Sequence, residues 1–451
     1  MVHLIVEVSK YLLIIMFAIY TYECFAVFRS TVSKRQKKQF ARQSRMLYGI
    51  HFTAYLVIFA VTEDAYMFIF YMAQLVLLVI IQNCYRLFYP KASKLLVNNM
   101  CMLMIIGFII LTRIDFQRAV KQFVIAAVSV VFAMIIPVMI QRMGFFRKLK
   151  WVYAAIGASA LLVVCIAGAT SYGAKISLSI AGFAVQPSEF VKIIFVFFVA
   201  AMYHESTELK QVIITTAVAA LHVLILVASK DLGGALIFFI AYLAMIYVAT
   251  KKVYYFAGGI LAGSIAAVIA HKLFRHVKVR VIAWQKPLEV IDNEGFQICQ
   301  SLFAIGTGGF FGMGLYQGMP EKIPKLEQDF VFAAIAEEMG GIFALCLILV
   351  CVSCFLMFLN IAMQLKDSFY KLVALGLGTI YGFQVFLTIG GVTKFIPSTG
   401  VTLPLVSYGG SSMLSTLIIF GIIQGLYILR EDEGANQNEK GKTAKKIKKA
   451  D

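Results

Sequence analysis

Apolar stretches long enough to cross a bilayer as helix recur along almost the whole chain, and no other feature restricts its fold so tightly. About thirteen windows qualify, at roughly 8–28, 46–62, 66–85, 96–112, 119–141, 151–170, 189–204, 211–228, 232–250, 253–271, 331–361, 371–390 and 409–430. The runs are continuous rather than alternating, which argues against a membrane barrel and leaves helices as the spanning element. Composition agrees: 61% of residues are hydrophobic and 14% charged, against about a quarter charged in an ordinary soluble domain. The expected fold class is an all-α polytopic membrane protein. The window at 331–361 exceeds what a span needs, so its first turns are expected at the membrane surface.

The net charge of +18 matches the basic bias of cytoplasmic loops. No basic segment lies on a recognisable nucleic-acid module, so no nucleic-acid partner is expected. Arg29, Lys34, Arg35, Lys37, Lys38, Arg42 and Arg45 crowd between the first two windows and orient that segment inward. Alternation from there puts Arg147, Lys148 and Lys150, Lys251 with Lys252, Lys366 with Lys371 and the C-terminus in the cytoplasm. The N-terminus and residues 272–330 then fall outside. The first apolar run lacks the pattern of a cleaved signal. Cys351 and Cys354 have no second pair or histidine beside them, so they read as apolar filler rather than a metal or redox site. Residues 431–451 are basic and lack apolar periodicity, so that cytoplasmic tail is expected to be disordered, its lysines near anionic membrane lipids.

Charged groups within or beside spans are costly and mark functional candidates. Glu189 and Lys192 in QPSEFVK share a helix face at a spacing of three and can pair, or simply stabilise a helix start. Lys230 and Asp231 open another span, where Asp231 can serve as a cap. Asp329 is expected to cap the helix of DFVFAAIAEEMGG, and of the adjacent Glu337 and Glu338 at most one is expected to face a central cavity. In PSTGVTLPLVSYGGSS, proline and glycine break the helix and leave Ser407, Tyr408, Ser411 and Ser412 on irregular backbone, which is tolerated at membrane depth only inside protein or along a cavity. The long polar interruption at 272–330 is glycine-rich at GTGGFFGMG, without the spacing of a dinucleotide fingerprint. Arg280, Lys286, Lys322 and Lys325 there are candidates for an anionic lipid phosphate. Glu289, Asp292 and Glu294 are candidate acid–base groups, a solvated loop surface being the plainer fate of most of the seven.

Taken together, QPSEFVK, KDLGGA, GFQICQSLFAIGTGGFFGMGLYQG, QDFVFAAIAEEMG and PSTGVTLPLVSYGGSS resemble the SEDS family of bacterial membrane proteins, the FtsW/RodA/SpoVE group. The resemblance implies a ten-helix core over 96–430, with the long extracellular loop 272–330 before the eighth core helix. Residues 1–95, with about three further spans, lie outside it. It also implies a peptidoglycan glycosyltransferase that polymerises lipid II at the outer face of the bacterial cytoplasmic membrane, in division, elongation or sporulation. Lipid II and undecaprenyl pyrophosphate are the implied ligands and a class B penicillin-binding protein transpeptidase the implied partner. A divalent cation, Mg or Mn, is a further candidate, because positive charge must stabilise the departing pyrophosphate.

Carried onto this chain, the implied substrate-binding residues are Gln186, Glu189, Lys192, Lys230, Asp231, Gln297, Asp329, Glu338, Ser407, Ser411 and Ser412. Ala184 stands where many relatives carry a basic residue, which shifts phosphate contact toward Lys192. The family aspartate of the long loop falls on Val290 when the segment is anchored on Pro287 and Gly295. Glu289 and Asp292 flank that position and are the candidate catalytic bases. Two other readings stand beside this one: a lipid II flippase, suggested by charges within the spans, and a degenerate scaffold for a transpeptidase, suggested by Val290.

Overall fold

The computed structural model describes residues 2–29, 32–142, 144–171, 174–180 and 183–447. Three helices precede the region of family resemblance: α1 (Val2–Arg29), α2 (Ser33–Thr62) and α3 (Ala65–Phe88). Then follow α4 (Lys94–Ile114), α5 (Phe116–Arg142), α6 (Lys150–Ala167), α7 (Ser188–Glu205), α8 (Leu209–Ala228), α9 (Leu232–Thr250) and α10 (Val253–Leu273). The polar interruption carries α11 (Arg275–Gln285) and α12 (Phe296–Gly308). After it come α13 (Val331–Met339), α14 (Gly341–Gln364), α15 (Ser368–Val392) and α16 (Gly410–Ile447).

Twelve of these helices are long and apolar enough to cross a membrane. The remaining expected span, 189–204, forms α7, whose first turns hold Glu189 and Lys192. The protein is a multi-pass membrane protein built from helices. Its exposed apolar side chains follow from that: α10 buries none of its residues and turns Leu261, Val268 and Ile269 outward, as a lipid-facing helix does. By contrast, the whole apolar window of α4 is buried inside the protein. The three N-terminal helices therefore pack as part of the bundle.

Several local expectations change. The window at 331–361 is two helices, because Gly340 takes φ 91, a conformation open to glycine, and separates α13 from α14. The polar interruption carries two helices joined by turns. α12 buries Ile298, Cys299, Ser301, Ala304 and Gly308, a helical spacing hidden by its glycines and polar residues. Between α6 and α7, Ala169–Ser171, Ala174–Ile180 and Phe183–Val185 form an antiparallel three-stranded meander, so the expected span ends at Ala167 instead of 170. α16 runs on into the charged tail as far as Ile447.

Candidate active site

The buried end of α7 gathers the first part of the site. Lys192 is 2% exposed, and its Nζ donates to Glu189 Oε2 at 2.7 Å and to Gln384 Oε1 at 2.9 Å. The expected pairing of Glu189 with Lys192 on one helix face is present. Ser415 Oγ donates to the same Glu189 oxygen at 2.8 Å, and Gln384 passes its own amide to Thr402 O at 3.0 Å. A cation in this setting needs such a set of acceptors, because an unpaired charge in the bundle would be prohibitive.

Asp231 caps α9 as expected, its Oδ1 accepting from Gly234 N at 2.9 Å. Its other oxygen accepts from Ser188 Oγ at 3.3 Å, and Ser188 accepts from Gln186 Nε2 at 3.1 Å. Gln186 N donates to Ser411 Oγ at 2.9 Å, which ties the start of α7 to the Ser407–Ser412 segment. Within that segment Ser407 Oγ accepts from Leu403 N at 2.9 Å, and Thr402 Oγ1 donates to Ser412 Oγ at 2.8 Å. Gln122 of α5 holds it from the other side, donating to Ser407 O and accepting from Gly409 N, both at 3.2 Å.

Arg280 and Trp284 of α11 approach these groups. Trp284 Nε1 donates to Lys394 O at 3.1 Å and anchors the end of that helix. One turn earlier is Arg280. A Cβ placed on Gly400, which has φ 74, would stand 3.4 Å from Arg280 Nη2 and 3.9 Å from Asp329 Oδ2. Glycine thus lets the backbone come between the guanidinium and the carboxylate. Burial pushes Asp329 up to about 6, against the pull of Arg280 and Lys325. Arg280 itself is lowered by burial, while Asp329 and Asp231 act in the opposite sense. Asp329 does not cap α13; Phe330 occupies that position with no side-chain cap.

A further buried cluster joins α4 to α13. Arg113 Nε donates to Glu338 Oε1 at 2.8 Å, Arg113 Nη2 to Gly318 O at 3.3 Å, and the guanidinium lies 4.6 Å from the ring centre of Tyr316. Glu337 Oε1 accepts from Met319 N at 3.1 Å. Both adjacent carboxylates are therefore buried against the 316–319 turn. The turn accommodates them because Gly318 has no side chain: a Cβ there would lie 2.9 Å from Glu338 Cγ and 3.0 Å from Glu337 Cδ.

The structure leaves other expected residues apart from this assembly. Glu289 is exposed and pairs with Lys286 at 2.9 Å. Asp292 is also exposed. Between them, Val290 O accepts from Gly295 N at 2.8 Å and from Asn293 N at 3.1 Å, closing a turn at the tip of the interruption. Gln297 binds Pro324 O, and Lys230 is exposed with φ 63. Conversely, Gln384, Ser415, Gln122 and Arg113 were not among the expected site residues. Gln384 had a usable signal: it is a lone amide inside an apolar window.

The sequence model of the cell cycle protein family FtsW/RodA/SpoVE matches residues 92–431. A peptidoglycan glycosyltransferase RodA of Mycobacterium tuberculosis is 35% identical over 267 residues, 56% of this chain and 57% of that protein. This chain thus spans somewhat more than half the length of the mycobacterial relatives it matches. Stage V sporulation protein E of Bacillus subtilis is 32% identical over 322 residues, covering 62% of this chain and 86% of that protein. Among solved structures, a chain from a study of polymerization and crosslinking by a peptidoglycan synthase complex superposes with TM-score 0.64 at 21% identity, over 75% of this chain and 98% of that one. The rod shape determining protein RodA of Thermus thermophilus gives 0.56 at 23%, over 75% and 97%; these two likenesses bear on the fold. On the family match and the sporulation relative, the chain belongs to the FtsW/RodA/SpoVE family of cell cycle proteins.

Proposed function

We propose that this protein is a peptidoglycan glycosyltransferase that polymerises lipid II at the outer face of the bacterial cytoplasmic membrane, with the N-terminus outside and the C-terminus in the cytoplasm. A class B penicillin-binding protein is its proposed partner and undecaprenyl pyrophosphate its second product. The carrying observation is the convergence of Gln186, Ser188, Asp231, Arg280, Asp329, Gly400 and Ser411, drawn from four family motifs and α11, on one polar assembly.

In the proposed reaction an acceptor sugar hydroxyl attacks the anomeric carbon of the donor. The bond from that carbon to the pyrophosphate oxygen breaks, and the electron pair leaves with the lipid pyrophosphate. A carboxylate takes the hydroxyl proton. Asp329, held near 6, is suited to that transfer, because a base works best when its pKa lies near the working pH. Arg280 supplies charge for the leaving pyrophosphate. Among the described residues no three His, Cys, Asp or Glu side chains converge to hold a metal ion. A Mg or Mn ion would there be held by one or two carboxylates such as Asp329 together with the substrate phosphates, and no step is routed through one.

A second reading keeps the base at Asp292 or Glu289, favoured by their position beside Val290 in the family motif. Purified protein with its partner and labelled lipid II separates the two. Asp292→Ala and Glu289→Ala at the parental rate, with Asp329→Asn inactive, supports Asp329. The reverse pattern supports the loop tip. Strong activation by Val290→Asp would instead indicate a degenerate site and a scaffold role.

A further inference from the structure

The first 91 residues lie outside the family match, yet they reach its buried polar groups by a defined route. Thr112 Oγ1 donates to Phe108 O at 2.6 Å within α4. Its one proton is thereby committed, so in the contact with Tyr55 Oη at 3.0 Å the tyrosine must donate. Tyr55 Oη in turn accepts from Gln74 Nε2, and Gln74 Oε1 lies 3.0 Å from His51 Nε2. A carbonyl oxygen can only accept, so His51 carries its proton on Nε2. Every donor in this chain of four side chains points from the N-terminal helices toward α4. His51, Gln74, Tyr55 and Thr112 are all buried.

The next residue after Thr112 is Arg113, which binds Glu338, Gly318 O and the Tyr316 ring. The same N-terminal helices touch the glycine-rich segment directly. A Cβ on Gly314 would meet Val6 Cγ1 at 2.6 Å, and the rings of Tyr11 and Phe311 are 5.7 Å apart. Met313 N and Gly314 N donate to Glu337 O and Glu338 O at 2.9 and 2.8 Å. The segment 311–319 is therefore gripped from α13 on one side and from α1 and Arg113 on the other.

We infer that the three N-terminal helices are a built-in brace for the segment 311–319, with Tyr55 and Thr112 as positioning residues that set the end of α4 and so aim Arg113 at Glu338. The residues act through Arg113 and touch no substrate. A membrane-embedded hydroxyl chain is suited to this, because each group lost leaves its neighbour unsatisfied where no water replaces it.

The test uses the full chain in lipid nanodiscs and two readouts. The first is hydrogen exchange of the 313–319 amides, which does not depend on any activity. Thr112→Val and Tyr55→Phe are expected to speed exchange there about fivefold, the effect of one lost buried hydrogen bond, with α15 and α16 unchanged. Thr112→Ser, which keeps the hydroxyl, is expected to restore parental protection. The second readout is glycan synthesis from lipid II, which rests on the proposed glycosyltransferase reading; kcat is expected to fall more than KM in Thr112→Val and to recover in Thr112→Ser. Unchanged exchange at 313–319 in both disabling variants overturns the brace, whatever the activity. Faster exchange with unaltered synthesis overturns the positioning role. If the parental protein makes no glycan, the glycosyltransferase reading fails and the exchange result alone decides the brace.

Discussion

Arg113 and Glu338 form an ion pair across 225 residues of sequence, with Nε donating to Oε1 at 2.8 Å and the carboxylate fully buried. The pair welds the end of the first family helix to the helix that follows Asp329. Replacing one partner leaves the other charge without compensation, which costs about 3–5 kcal/mol in buried settings. Arg113→Ala is therefore expected to lower the thermal midpoint in detergent substantially. Arg113→Met with Glu338→Leu is expected to lower it less. Differential scanning fluorimetry on the three proteins checks this ordering.

The glycine-rich segment is constrained at Gly312, where φ is 77 and a Cβ would stand 2.4 Å from Glu338 O. No movement of a flexible side chain relieves a contact with backbone. Gly312→Ala is expected to destabilise by about 1–3 kcal/mol from the strained backbone alone and to weaken synthesis. Gly306→Ala, with open space around its Cβ, is expected to be much milder. Paired midpoints and lipid II turnover for the two variants test the contrast.

Asp329 carries a pKa raised to about 6 by burial. Between its ordinary value near 3.8 and about 6, the folded protein holds a proton that the unfolded chain releases. The contribution of this group to stability is thus present at low pH and is lost as pH rises through that window. Asp329→Asn is expected to remove this slope. If the ionised form is the base, synthesis rises with pH through about 6 in the parental protein. Stability and rate measured from roughly pH 4.5 to 7.5, about 1.5 units either side of that value, check both signs.

At the tip of the interruption, Lys286 and Glu289 are 63% and 66% exposed. Exposed pairs contribute little, about 0–1 kcal/mol. Glu289→Ala is expected to leave the thermal midpoint within error of the parental value, and a drop of several degrees contradicts the exposed placement.

The spans were legible because bilayer thickness imposes one apolar length on every crossing helix. Glu189 with Lys192 and the cap at Asp231 were legible for a similar reason: spacing and position alone decide them. The break at Gly340 was less so, since an apolar run looks continuous until backbone from 309–310 pairs with 341–342. The roles of Glu337 and Glu338 were hidden because their partners, Met319 and Arg113, come from distant segments. Asp292 and Glu289 were singled out by their place in a motif, whereas the meeting of Arg280, Gly400 and Asp329 depends on how α11 folds back over the spans.

The proposed glycosyl transfer is assigned to the Asp329–Arg280 assembly. It is tested most directly by glycan synthesis from labelled lipid II, using purified parental and Asp329→Asn proteins with the cognate class B penicillin-binding protein. Synthesis by the parental protein and a loss of about 100-fold or more in the variant, as for removal of a general base, is the predicted result, with the variant folded by its thermal midpoint. Equal synthesis by both proteins would contradict the claim.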